Sequence, residues 1–460
     1  MRLSTAFLAC SVLAAPVTAH AQLRLADALR RADSAAVSNR IAAGQRAERA
    51  GQAVGALHGL LPTVRVEGGI ARTTDPIGAF GTLLRQRRIS QADFNPTRLN
   101  DPAPVTNYMG GLVAEVPLLN ADAWLGRRAA TRAADAGSFS ASFTRLAVRA
   151  DVVRAFFGVQ FADERVRALV AAMQAGAAHV KQAESMQRNG MVTPADALMA
   201  SVKRGEIEAD LAAARGDAAN ARRELGALLG ADGTTAENPS GVLPSAFAIR
   251  AFASDEIDAS PQSRLDVAAA MLAADAARAD AARARVSLLP RVNGVARLDW
   301  NDQGRAFGGD KSWTVGVMAT WTPFSGASEI SDQRTATARA SIASAAADGA
   351  AARARVESAR AASDIDVALQ RLAIAERGAA QSADAHRIVT RRYDGGLASV
   401  VELLDAAAGD SRSTLMLAKA RYDLIAALAA RRLVTGRDPA ALVALDAGST
   451  DDNNSKDTNR

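Results

Sequence analysis

The residues of this chain whose types and spacing could do chemistry gather around two short segments. One runs Tyr393-Asp394-Gly395-Gly396-Leu397-Ala398-Ser399-Val400-Val401-Glu402-Leu403-Leu404-Asp405. Glu402 and Asp405 are three residues apart, so on a helix their carboxylates share one face. The other runs Arg188-Asn189-Gly190-Met191-Val192-Thr193-Pro194-Ala195-Asp196. Both have the grammar of one helix ending at a glycine turn and another beginning. Ser399 reads as an N-cap with Glu402 at N3, a capping box, and Thr193 reads as an N-cap with Pro194 at N1 and Asp196 at N3. Acids at these positions can cap a helix and favour its positive end, or gather cations. The chemistry of catalysis is missing. There is no G-x-S-x-G, H-E-x-x-H, P-loop or C-x-x-C pattern. The one cysteine, Cys10, falls in the leader. His58, His179 and His386 are far apart, lack ligand spacing and read as surface residues. No catalytic residue, metal site or cofactor is expected, and the chain reads as a non-enzyme.

The two segments are copies. Gly190 and Gly396 are 206 residues apart (396 − 190), as are Gly230 and Gly436 (436 − 230). At the same offset Leu198, Leu211, Ala212, Ala214, Arg215 and Asp217 meet Leu404, Leu417, Ala418, Ala420, Arg421 and Asp423. The elements that position the acids are therefore a duplicated helical hairpin.

Composition agrees with long helices. Of the 460 residues only 4% are aromatic, and alanine dominates the apolar share. Alanine has the best helix propensity but buries little side chain, which suits closely packed helices better than a thick core. The net charge of +6 comes from arginines scattered among Asp and Glu along helices, the pattern of a solvated face. Without aromatic interleaving it points to no nucleic-acid partner. Residues 1–21 read as a signal peptide, with Arg2, an apolar stretch to Val17 and the A-x-A site Ala19-His20-Ala21, so the mature chain is expected to begin at Gln22. No other run approaches the 18 or so apolar residues of a membrane helix.

In chain order, the first repeat is expected over 22–230. Leu23 to about Leu57 reads as one amphipathic helix. A strand follows at 62–74, where Val64, Val66 and Ile70 alternate with Arg65, Glu67 and Ala71. Residues 75–106, rich in Gly, Pro and Asn, read as a long loop. A second strand, 107–117, sets Tyr108, Gly110, Leu112, Ala114 and Val116 on one face. A long helix at 121–188 would span on the order of 100 Å, and a helix at 194–229 returns. Residues 231–261 link to the second repeat, 262–436. It holds a helix, strands at 290–300 and 312–322, a long helix at 327–393 and a helix at 400–435. The 437–460 segment ends in a polar tail expected to be disordered.

The strands carry their own message. Each repeat supplies one hairpin, which alone is marginal in water. Tyr108, Trp300, Trp313 and Trp321 sit at or near strand ends with small or apolar residues between, as in the aromatic girdle of a membrane barrel.

With signal peptide, two strand–strand–helix–helix repeats and the spaced turn motifs, the chain resembles the TolC-like outer-membrane efflux family over nearly its whole length. The most specific match is Tyr393 to Ala406, with Tyr422 and Gly436 downstream. The resemblance implies a mainly α fold: long antiparallel helical hairpins forming an α-barrel in the periplasm, and four strands per chain in a twelve-stranded outer-membrane β-barrel shared by a homotrimer. It implies a passive exit duct in outer-membrane lipid, docked on a periplasmic adaptor and an inner-membrane pump of the RND or ABC type. By position, Tyr393, Glu402, Asp405 and Asp196 align with the family's aperture. Gly190, Met191, Thr193, Gly396, Leu397 and Ser399 align with the tips that meet the adaptor. One departure is Ala398, where well-known members carry arginine; the ionic latch is then absent or falls to Arg391 or Arg392. A second reading, from another class, is a soluble periplasmic coiled-coil adaptor, which would partition as a soluble protein.

Overall fold

The computed structural model describes residues 23–234, 236–257 and 264–446. The expected leader with Cys10, the start at Gln22 and the polar tail lie outside them. Ten α-helices and four strands appear among the described residues: α1 (Leu25–Ala35), α2 (Val37–Gly55), β1 (Thr63–Thr73), α3 (Pro76–Arg85), α4 (Pro96–Asn100), β2 (Val105–Leu119), α5 (Ala121–Arg188), α6 (Pro194–Leu228), α7 (Ala246–Ile257), α8 (Leu265–Val286), β3 (Arg291–Asp302), β4 (Asp310–Thr320), α9 (Ser328–Asp394) and α10 (Val400–Val434).

The helices α5 and α9 have 68 and 67 residues, and α6 and α10 have 35 each. Glycines at positive φ end the hairpins of both repeats: Gly190 and Gly396 after the long helices, Gly230 and Gly436 after the return helices. Only glycine adopts that left-handed conformation without a Cβ clash, which is why it stands at the same four places of the repeat.

The chain divides into two units that cut across the repeats. One comprises residues up to 40, 145–262 and from 358 onward; the other comprises 41–144 and 263–357. Each repeat contributes to both, because one long helix carries the chain from one unit into the other. The first unit has a real side-chain core. Leu25, Leu29, Val152, Phe156, Phe157, Leu225, Ile249, Leu372, Leu424, Ile425 and Leu428 are buried together. Phe156 and Phe157 meet edge to face at 5.5 Å between ring centroids. A charged knot closes this core: Glu256 of α7 pairs with Arg432 of α10, whose Nε donates to the Asp438 carbonyl at 2.7 Å.

The second unit is built on a single antiparallel sheet in the order β1-β2-β3-β4. The central pairing, β2 with β3, joins the hairpins of the two repeats into one meander. Its register sorts the side chains. Val64 lies opposite Ala114, Val66 opposite Leu112 and Ile70 opposite Tyr108. Leu112 in turn faces Leu298, and Gly110 faces Trp300. Leu298 faces Trp313, Ala296 faces Val315 and Gly294 faces Val317. That face is almost wholly apolar. The alternate positions carry Arg65, Glu67, Glu115, Asn293, Arg297 and Asp299, with Arg297 donating to Asp299 at 2.8 Å. Period-two alternation thus gives one greasy and one charged face.

Two expectations are corrected. The helix read as continuous from Leu23 to Leu57 breaks at Ala36, whose φ of −56° and ψ of 131° are not helical. The Ala32 carbonyl accepts the Ala36 N–H at 3.1 Å and the Asn39 amide at 3.0 Å, so the two bonds together brace the break. No Pro or Gly marks the place. Residues 75–106 are not a structureless loop. Asp75 caps α3 by accepting from the Gly78 N–H, with Pro76 at N1. Asn95 caps α4 by accepting from the Thr97 N–H at 3.0 Å, with Pro96 at N1. The Asp75-Pro76 and Asn95-Pro96 pairs within that Gly-, Pro- and Asn-rich stretch are helix starts.

Candidate functional site

The two hairpin tips carry the candidate site, and both lie in the first unit. At the first, the Gly190 N–H donates to the Gln187 carbonyl at 3.0 Å and the Met191 N–H to the Met186 carbonyl at 2.9 Å. At the second, Gly396 donates to Tyr393 at 3.0 Å and Leu397 to Arg392 at 2.7 Å. These are the same paired bonds of a helix ending in a left-handed glycine. They push the next side chain outward. Met191 is 61% exposed and Leu397 73%, each on the point of a turn.

The caps differ. Thr193 and Asp196 form a complete capping box: the Thr193 N–H and hydroxyl both donate to Asp196 Oδ2, at 2.9 and 2.8 Å, and the Asp196 N–H reaches back to the hydroxyl at 3.3 Å. The Thr193 hydroxyl, then its N–H, hold the Asp196 carboxyl below the usual range. Ser399 caps α10 by accepting from the Glu402 N–H at 3.2 Å, but the Glu402 side chain does not return the bond. The capping box expected there is half made. Glu402 and Asp405 are both exposed, and among the described residues neither carboxylate has a hydrogen bond or ion pair of its own. One acid of the set is thus engaged as a cap and two stand free.

Tyr393 is 2% exposed. It is buried with Val180, Ala183, Ala197, Ala200, Val400, Leu403 and Leu404, and its hydroxyl donates to Met186 Sδ at 3.2 Å. Burial, then the charges of Asp196 and Asp394, raise its phenol. In the single chain Tyr393 packs the two tips together and presents no surface to an opening. The residue phase explains it: the turn of helix that ends at Gly395 brings position 393 inward. Ala398 is packed against this cluster, and Arg392 donates to the Leu397 carbonyl at 3.0 Å, which braces the turn.

Two residues read as surface histidines are not. His179 and His386 are half-buried and line a cavity of about 540 Å³ with Asp210, Asp410, Lys203 and Ile207. His386 Nδ1 lies 3.2 Å from Asp410 Oδ2. His179 Nε2 has no hydrogen-bond partner, and burial, then His386, pull its pKa down. The available signal was their separation of 207 (386 − 179), one residue from the repeat offset. No cluster of three His, Cys, Asp or Glu suited to a metal occurs among the described residues.

The strand-end aromatics also have places. Trp300 and Trp313 lie on the apolar face near the loop end of the sheet, with Tyr108 beyond them opposite Asp302. Trp321, one residue past β4, donates from its indole to the Leu288 carbonyl at 3.0 Å at the opposite end. Trp124, in the first turn of α5, and Phe324 are exposed at that same end. Trp124 stands on a helix and Phe324 in the connection to α9, where strand alternation gives no signal. Among the described residues no helix is long and apolar enough to cross a membrane.

A four-stranded meander with one apolar and one charged face, continuous with helices of 67 and 68 residues, defines a membrane channel with a helical tunnel. The chain belongs to the outer membrane efflux protein family, which it matches over residues 34–231 and 257–437. The outer membrane protein VceC of Vibrio cholerae is similar at 19% identity and a TM-score of 0.74, over 90% of this chain and 96% of that one. The CmeC outer membrane channel of Campylobacter jejuni is similar at 16% identity and 0.75, over 90% and 85%. A membrane protein of Pseudomonas aeruginosa is similar at 20% and 0.76, over 90% and 93%. At such identities the likeness speaks for the fold. A comparison with curated protein sequences returned no match. The family match fixes the function: the chain is an outer-membrane exit duct with a periplasmic helical tunnel, and the soluble-adaptor reading is not favoured.

Proposed function

We propose that the duct is a homotrimer in which each chain gives four strands to one twelve-stranded barrel (3 × 4). The observation that carries this is the sheet itself. Its order leaves β1 and β4 with open outer edges, and one of its faces is apolar. Lipid tolerates neither an unpaired strand edge nor an isolated sheet. Three copies remove every edge and turn the greasy face outward. Tyr108, Trp300, Trp313 and Trp321 then form the interfacial girdles. The barrel conducts passively, without catalysis.

The tips are the docking surface for a periplasmic adaptor that links the duct to an inner-membrane pump of the RND or ABC type. The support is the exposure of Met191 and Leu397, apolar side chains standing on turns, beside Gly190, Thr193, Gly396 and Ser399. Glu402 and Asp405, free of partners, form a ring of six carboxylates (3 × 2) at the periplasmic aperture, with Asp196 and Tyr393 holding the tip geometry behind them. The test of the whole reading is mass measurement in detergent. A trimer is expected; a stable monomer extracted from the outer membrane would overturn it.

A further inference from the structure

We propose that residues 75–104 form a folded strap across the inside of the barrel's outer mouth, a second constriction of the duct. The inference rests on the barrel reading above, in which the charged face of the sheet is the inner one. The strap is rooted between β1 and β2, yet its bonds reach the far side of the sheet. The Gln86 amide, at the end of α3, donates to the Asn107 side chain at 2.9 Å and to the Thr106 carbonyl at 3.0 Å on β2, and lies 3.2 Å from the Asp302 carbonyl on β3. The next residue, Arg87, pairs with Asp310 at the start of β4 at 3.6 Å. A segment leaving β1 that touches β2, β3 and β4 must cross the end of the sheet.

The face it crosses is given by the asparagines. Asn107 donates to Asn301 at 2.7 Å, and both stand at alternate positions to Tyr108 and Trp300, on the charged face. Asn107 and Asn301 are buried beneath the strap, and Gln86 of the strap is buried with them. The donations from Gln86 to Asn107 and from Asn107 to Asn301 hold the strap against the charged face of the sheet. The other hairpin loop goes the opposite way: Phe307, at a φ of 58°, packs on Trp300 at 5.5 Å and closes over Gly110, on the apolar face. One loop therefore covers the outside of the sheet end and the strap covers the inside. Two capped helices and the Ser90–Asp93 capping box give the strap its own local order. Three such straps would narrow the mouth and set the size of cargo that leaves it.

The experiment uses the full-length protein reconstituted in planar bilayers, with poly(ethylene glycol) of graded mass added to one side at a time. Two variants are compared with the parent: the strap replaced by a short Gly-Ser turn, and Gln86→Ala with Arg87→Ala, which only releases it. The polymer size excluded from the outer-mouth side should rise in both, with higher conductance, while the exclusion size from the tip side stays as in the parent. An unchanged outer-side cut-off with either variant would overturn the strap. Failure of the barrel reading shows differently, as a parent protein that forms no ion-conducting pore at all.

Discussion

Single side chains at the tips divide into those that hold shape and those left free, and the division decides what each will do when changed. Asp196 is spent on Thr193, so removing the cap by Thr193→Ala should cost about 1 kcal/mol of local stability and leave conduction selectivity alone. Glu402 and Asp405 have no such duty. Rings of acidic side chains favour cations, and three-fold crowding of unpaired carboxylates strengthens the preference. Glu402→Gln with Asp405→Asn should bring the cation-to-anion permeability ratio close to unity and abolish block by divalent cations from the tip side. Reversal potentials in a salt gradient measure the first and single-channel records the second; a ratio equal to the parent's would make these residues mere helix surface. His179 makes a prediction of opposite character. Its folded pKa lies below its unfolded value because burial and His386 disfavour the imidazolium. The unfolded state therefore takes up the proton first, and the stability this neutral histidine contributes is present above about pH 6.5 and lost as pH falls toward the lower folded value. Hydrogen-exchange protection of the hairpins, corrected for the intrinsic rate, should fall as pH drops below about 6.5, and His179→Gln should flatten that dependence. The sequence made the caps legible, since Ser, Thr, Asp and Pro act within three residues. It could not show that Tyr393 is buried or that two histidines meet, because those facts depend on neighbours two hundred residues away.

Whole elements were easier to read where they repeat. The constant offset of 206 residues located both hairpins, their glycine turns and their equal return helices, because a helix that must span a fixed distance cannot change length. The β face was equally plain in the alternation of Val64, Val66 and Ile70. The strap was not, because only one repeat has it and its Asx-Pro pairs serve turns and helix starts alike. The same is true of α7, which no periodicity announces and which is held by the pairing of Glu256 with Arg432. Both partners of that pair are buried and Arg437 reaches the same carboxylate at 3.1 Å, so Glu256→Ala takes the counter-charge from two guanidiniums and should cost about 3–5 kcal/mol. Chemical denaturation would read it; a loss under about 1 kcal/mol would mean the pair behaves as an exposed one. For the tips as elements, Met191→Asp with Leu397→Asp should abolish efflux while membrane assembly continues. Efflux at the parental level would move adaptor docking elsewhere.

At the scale of the molecule, the decisive property is that one chain is an open sheet. Four is an even number, so in the meander β1 and β4 run antiparallel to each other. The β4 edge of one copy can therefore accept the β1 edge of the next in the same antiparallel pattern, and the ring closes without a change of direction. β4 is exposed along its whole length in the single chain, which is the state of a strand awaiting that neighbour. Proline tests the joint, because it donates no hydrogen bond. Successive N–H groups of a strand point to opposite sides, so of Val315→Pro and Gly316→Pro one strikes the ladder to β3 and the other only the open edge. Were the outer edge of β4 free in the working protein, the edge variant would assemble like the parent. If β4 joins β1 of a neighbouring copy, both variants lose the trimer, read as the oligomer that survives detergent electrophoresis without heating. Assembly of either variant at the parental level would overturn the twelve-stranded barrel, and with it the requirement that the apolar face be buried in lipid by closure of three chains.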